Sequence, residues 1–185
     1  MARRPRLGRP LLAPNEMSIT DLLLPEYDNE IAVTRRVLER VPDDRGEWKP
    51  HPKSFPMGHL AQLVARLPGW TAMTMRRTEL DLAPTSGPRF PGYSFERTAT
   101  LLAEFDANAA EGRAALAQAR DEDFQVPWTL KRAGATLVTS SRYEILRSMV
   151  LNHLVHHRGQ LSVYLRLLDV PVPSMYGPSA DEAAF

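Results

Sequence analysis

The chain has 185 residues, enough for one domain, with 43% hydrophobic and 24% charged residues, the balance of an ordinary globular protein. Its formal net charge of +1 gives no strong field toward nucleic acid or an anionic membrane. Because there is no cysteine, disulfides, thiolate ligands and a cysteine nucleophile are excluded, and a transition-metal site must use histidine or carboxylate. No apolar run approaches the roughly 18 residues that cross a bilayer. We therefore expect a cytoplasmic protein that contacts neither nucleic acid nor membrane.

The first sixteen residues differ in composition from the rest of the chain. Four arginines (Arg3, Arg4, Arg6, Arg9) alternate with prolines, and the apolar run at 11–13 is shorter than the roughly 7–15 residues of a signal-peptide core. Residues 1–16 are predicted to be a disordered basic extension, or a stretch upstream of the true start at Met17. Residues 17–185 are predicted to form a single domain.

Apolar residues at three- and four-residue steps predict four helices. They cover about 18–41, 56–80, 95–119 and 142–169. Ser18 and Asp21 fit a capping box at the first start, Pro25 predicts a kink, and Pro68-Gly69 predicts a disturbance in the second helix. Thr and Val residues around an Ala-Gly turn predict a short hairpin near 128–139. The fold class expected is all-α, an antiparallel four-helix bundle with long connections.

The fourth predicted helix has two histidines in the middle of its apolar stripe. His153 and His157 lie one turn apart, each about 20° from the centre line that starts at Leu146. Arg158 falls about 120° from that line, off the buried stripe, and we expect it to pair with a carboxylate such as Asp181 or Glu182, in this chain or in a dimer partner. Two imidazoles at positions i and i+4 commonly hold a divalent ion; the alternatives are a polar ligand pocket, or buried histidines that neighbouring groups satisfy.

Other residues are candidates for the same site. His59, at the margin of the second helix's buried face, is the candidate third ligand, because imidazole sites usually use at least three protein ligands. Asn152 and Gln160 are candidates to orient the imidazoles, and Tyr164 is a candidate hydrogen-bond donor on the same stripe.

Three stretches resemble the DinB family of DinB/YfiT-like metal enzymes: LNHLVHHRGQLSVYLRLLDVPVPSMYGPSADE at 151–182, LPGWTAM at 67–73, and the segment from Ser18 to Ser54. The resemblance implies a four-helix bundle, often a homodimer, that holds nickel or zinc with three histidines. His153 and His157 match two of them. The third position, on the second helix, is Leu63 in this chain. His59 lies one turn earlier, about 6 Å along the helix axis.

Two functions follow from this resemblance. The first is a divalent-metal-dependent enzyme that activates a small thiol for transfer or isomerisation, with a degenerate third-ligand position at Leu63. The second is a non-catalytic bundle that has lost tight metal binding and binds a small molecule or serves as a dimeric, stress-associated protein. DNA binding through the arginines of the extension is a weaker third idea, since charge and motifs argue against it.

Overall fold

The computed structural model describes residues 17–87 and 92–182, and the predicted basic extension lies outside them. The helices are α1 (Ile19–Leu38), α2 (Met57–Arg76), α3 (Thr98–Ala117), α4 (Asp121–Gln125), α5 (Arg142–Ile145) and α6 (Asn152–Leu167). A 3₁₀ turn spans Asp43–Arg45, and a π-helical segment, Leu146–Leu151, joins α5 to α6. The strands are β1 (Glu79–Asp81), β2 (Pro127–Arg132) and β3 (Ala135–Ser141).

The prediction of a mostly helical protein is confirmed, but the all-α class is too narrow because a three-stranded sheet is present. The predicted hairpin is β2–β3, paired antiparallel, with Ala133 and Gly134 at positive φ in its turn. The unexpected strand is β1, which pairs parallel with β2. Leu80, predicted to lie in the second helix, is therefore a strand residue. None of the described helices is long and apolar enough to cross a membrane.

Neither of the prolines at which a helix disturbance was predicted interrupts its helix. Helix α1 begins with the predicted capping box between Ser18 and Asp21 and runs without a break through Pro25. Helix α2 likewise continues through Pro68. It packs closely there against α3, since a Cβ on Gly112 would lie 2.6 Å from the Pro68 carbonyl oxygen, and Asn108 donates to the carbonyl of Ala65. Tertiary contacts therefore stabilise a turn that local propensity disfavours.

The fourth predicted helix is not the regular helix that its sequence indicated. The π-helical segment Leu146–Leu151 interrupts it just before the histidines. Because hydrogen bonds in such a segment run from i to i+5, each residue advances by less than 100° around the axis. The angular positions that were counted from Leu146 at about 100° per residue are therefore wrong for residues after Leu151. Arg158, predicted to lie off the buried stripe, is 1% exposed, and its carboxylate partner is Glu30 of α1 in the same chain.

The core lies where the four long helical segments meet. Helix α2 packs against α3 and α6, and α1 packs against α3 and α6. Completely buried side chains from these helices include Val37, Leu38, Leu60, Val64, Phe105, Leu154 and Leu161. The chain after α6 returns over this core, where Val172 is buried and the Asp181 carboxylate accepts the Val172 N–H.

Candidate functional site

His153 and His157 lie together on α6, with their rings facing one another. Their Nε2 atoms are 2.8 Å apart, and their ring centroids are 4.5 Å apart. His157 is 8% exposed and His153 is partly buried. Burial lowers the pKa of both imidazoles, and a neighbouring histidine, His156, adds to this effect. Both rings are therefore driven toward the neutral form, which is the form that can bind a metal ion.

The Nδ1 atoms of the pair are already engaged. His153 Nδ1 lies 3.3 Å from the Met149 carbonyl oxygen, which only accepts, so this nitrogen carries the proton. His157 Nδ1 lies 2.8 Å from Gln160 Oε1, and the Gln160 amide nitrogen lies 3.1 Å from His156 Nε2. With its proton on Nδ1, His153 directs the Nε2 lone pair toward His157 Nε2, which lies at hydrogen-bonding distance. A cation bound by the two Nε2 atoms would replace this contact.

Among the residues that the structure describes, His59 does not form a three-donor group with His153 and His157. On α2 its ring is stacked between Phe55 and Tyr93, with centroid distances of 4.4 and 3.8 Å. Burial, and secondly the charge of Arg66, lower its pKa. Leu63 packs, partly buried, against the main hydrophobic core.

The described residues do not fit a three-histidine metal centre. Nowhere in residues 17–87 and 92–182 do three His, Cys, Asp or Glu side chains lie together in a group that could hold a metal ion. The donors present, His153 and His157, fit a two-imidazole site at most, because Leu63 has no donor atom.

The other predicted site residues have different surroundings. Gln160 contacts His157, as described above, while Asn152 is exposed at the first turn of α6. The Tyr164 hydroxyl donates to the Phe55 carbonyl at 3.2 Å, and its ring packs edge-on against Trp48. Tyr164 therefore ties α6 to the loop before α2.

Sequence reasoning missed a groove of about 830 Å³ between α2, α3 and β1. Leu63, Trp70 and Met73 line it from α2, and Glu104 and Asn108 line it from α3. The three α2 residues are spaced by seven and three positions, which was the available signal for a second apolar face. The opposite walls of the groove come from distant segments, which no local pattern joins.

The sequence profile of the DinB family matches residues 20–184, most of the length of the chain. This chain belongs to the DinB family. Two solved DinB-like proteins have similar structures. One, from Bacillus subtilis, has a TM-score of 0.63 and 16% identity, and the match covers 88% of this chain and 99% of that protein.

The second DinB-like protein, from Bacillus cereus, has a TM-score of 0.61 and 20% identity, with 86% of this chain and 99% of that protein covered. At such identities the likeness shows the fold alone. A comparison with curated proteins gives no match.

Proposed function

We propose that this DinB-family protein binds a small molecule and does not perform catalysis that depends on a three-histidine metal centre. The observation on which this rests is the donor set. Within the described ranges no third ligand accompanies His153 and His157, and the position that the family resemblance gives to the third histidine is Leu63. His59 does not replace it, because it forms no three-donor group with the pair in the described ranges.

A second observation supports small-molecule binding. Leu63 lines the groove between α2, α3 and β1 as well as touching the core. A leucine there adds apolar surface, where a histidine would add a polar donor. The volume of about 830 Å³ lies in the range of roughly 300–1,000 Å³ common for small-molecule sites.

The fold proposed for this function is the antiparallel four-helix bundle expected from the sequence, with the sheet added at one side. The packing of α2 against α3 and α6, and of α1 against α3 and α6, supports it.

A second candidate function is the divalent-metal-dependent enzyme acting on a small thiol. The observation that favours it is the His153–His157 pair, whose Nε2 atoms converge while their Nδ1 atoms contact other hydrogen-bonding groups, the usual pattern around ligating histidines. His153 and His157 would hold nickel or zinc. Such an ion would supply Lewis acidity, lowering the pKa of a bound thiol or water.

The two functions differ in metal affinity, which calorimetric titration of metal-free protein with nickel and zinc measures. We expect weak binding by the wild type. Leu63→His should tighten binding by about 100-fold, because it supplies an imidazole at the position that the family resemblance gives to the third ligand. In the Leu63→His background, His153→Ala should remove that gain.

His51→Ala is the matched control, since it removes an exposed histidine of the loop before α2 and should leave the affinities nearly unchanged. If the wild type binds one nickel or zinc ion as tightly as Leu63→His, and His153→Ala abolishes this binding, the first proposal is wrong. The metal-dependent enzyme would then be the better function, and assays of thiol transfer would follow.

A further inference from the structure

We infer that strand β3 (Ala135–Ser141) pairs with the β3 strand of a second copy of this chain, antiparallel and with Val138 on the twofold axis. The two three-stranded sheets then become one continuous sheet. This inference goes beyond the proposed small-molecule function, since β3 lines neither the groove nor the histidine pair. Three features support it: an open strand edge, an apolar core that reaches this edge, and opposite charges at the two ends of the strand.

The outer edge of β3 is open. The strand order in the sheet is β1-β2-β3, so within residues 17–87 and 92–182 β3 pairs with β2 alone. All residues from Ala135 to Thr139 are exposed. The backbone N–H and C=O groups of an edge strand that point away from the sheet have no partner in a ladder. A second strand would supply that partner.

The sequence of β3 does little to prevent such pairing. The stretch ATLVTSS contains neither proline nor a charged residue, the residue types that commonly block an exposed edge. A bulge, another such feature, is confined to Leu137, which has no Cα partner in β2, and the ladder from Val138 to Ser141 is regular. Valine and threonine also favour strands. The edge is therefore available for pairing.

The apolar core under the sheet reaches this edge. Val138 lies opposite Leu130 of β2, and opposite residues of an antiparallel pair share one face of the sheet. Leu130 is 4% exposed and packs in the same core cluster as Trp128, whereas Val138 is 36% exposed. Pairing about Val138 places the same valine of the second copy beside it on that face. Each valine then covers the other, and the two cores become continuous across the axis.

The exposed charges at the two ends of β3 are opposite in sign. Arg132 lies at the hairpin turn, and Glu144 lies in the first turn of α5, just after the strand. Neither has an ion-pair partner among the residues that the structure describes. The nearby Arg142 is buried and donates inward to the Arg77 carbonyl.

An antiparallel pair of identical strands uses these charges twice. The turn end of each copy, with Arg132, lies beside the α5 end of the other copy, with Glu144. Complementary charges at both ends favour this arrangement, and they set the direction of the pairing. The chain thus carries its own complement, which favours a second copy over an unrelated strand.

The interface is small, so the dimer should dissociate on dilution. A strand of seven residues is fewer than the roughly 20–30 residues per side of a standard interface. Sedimentation equilibrium of the full chain over a range of protein concentrations measures the dissociation constant. A chain that stays monomeric up to about 1 mM would overturn the inference. The edge would then be open to an extended segment of a different protein.

A matched pair of variants locates the interface. Leu137→Lys should weaken dimerisation by at least about 10-fold, because it places two like charges next to the axis. Leu167→Lys on α6 is the control and should leave dimerisation unchanged, since the two leucines are 55% and 57% exposed. Circular dichroism verifies the fold of both variants. Equal dissociation constants for the two variants would show that the copies associate through another surface.

Single cysteines test the register, because the chain has no cysteine of its own. Val138→Cys should give a disulfide-linked dimer on mild oxidation, since opposite residues have Cβ atoms about 4.5–5.5 Å apart, close to the roughly 3.5–4.5 Å of a disulfide. In Ala135→Cys the two thiols would lie about 20 Å apart, so this variant should not cross-link. Cross-linking of Ala135→Cys and not of Val138→Cys would overturn the pairing. Leu137→Lys remains informative if Val138→Cys destabilises the chain.

Discussion

Two polar clusters lie side by side on α6, and only one of them connects different segments of the chain. Arg158, which is 1% exposed, donates to Glu30 at 2.7 Å and to Thr34 at 3.0 Å, and the Tyr176 hydroxyl donates to the same Glu30 carboxylate at 2.7 Å. In this Arg158 cluster the buried charge has its opposite charge beside it. One residue earlier, His157 contacts His153 of the same helix, with their Nε2 atoms 2.8 Å apart.

This difference distinguishes polar groups that stabilise the fold from polar groups that are available to bind a ligand. Buried polar groups that find all their partners within the chain connect segments, and here α1, α6 and the returning C-terminal segment are joined. The hydrogen bonds of His153 and His157 go to residues of their own helical segment, so they join no two segments. The Arg158 cluster should therefore be essential for folding, whereas the histidine pair should be dispensable for it.

The largest expected effect is at Arg158. Arg158→Met should lower the free energy of unfolding by about 3–5 kcal/mol, because it leaves the buried Glu30 carboxylate without its cation. Urea denaturation measures the loss. The double variant Arg158→Met/Glu30→Met should lose less than the single one, since no unpaired charge remains.

Arg166→Met is the matched control on the same helix. Arg166 pairs with Asp181 at the surface, where its side chain is 48% exposed, so its loss should cost at most about 1 kcal/mol. Equal losses for Arg158→Met and Arg166→Met would show that the buried cluster is not structural, and the comparison would fail.

The histidine pair should respond in the opposite sense. His153→Leu/His157→Leu should leave the free energy of unfolding within about 1 kcal/mol of the wild type or raise it, because apolar side chains replace desolvated polar rings that connect no other segment. Thermal denaturation in the presence of a chelator measures this without any contribution from bound metal. A loss comparable to that of Arg158→Met would mean that the pair, too, is structural.

Sequence patterns predicted the features that neighbouring residues form better than they predicted the clusters that distant segments form. The i, i+4 spacing placed His153 and His157 in contact, and the Ala133-Gly134 turn located the hairpin, since both depend on neighbours in the chain. The buried position of Arg158 was missed for two reasons. The π-helical segment changes the angular count, and its partner Glu30 is 128 residues away.

The groove was missed for a related reason. Its apolar face was visible in the spacing of Leu63, Trp70 and Met73, but its opposite wall is formed by Asn108 and Glu104 on another helix. Strand β1 was also unpredictable, because three residues show no alternation and it forms only by pairing with β2, some 50 residues later. Contacts between segments decide such features.

The smallest expected effect concerns Asp81, a surface carboxylate whose hydrogen-bond partners are backbone N–H groups. Asp81 accepts the backbone N–H groups of Ala83 and Ala133, both at 2.9 Å, and of Gly134 at 2.7 Å, joining β1 to the hairpin turn. These hydrogen bonds, that of Ala83 first, hold the pKa of Asp81 below its ordinary value of 3.8. The stability it contributes is present above pH 3.8 and is lost as the pH falls through the lowered pKa.

Asp81→Asn should therefore be less stable than the wild type at pH 6, and the difference should shrink as the pH approaches 3, because the wild-type carboxylate becomes protonated. Urea denaturation across that pH range measures the difference, with Glu47→Gln as an exposed control. A gap that stays constant with pH would mean that the Asp81 side chain acts through its shape and not its charge. The loop of Asp81 would then resemble neither the Arg158 cluster nor the histidine pair.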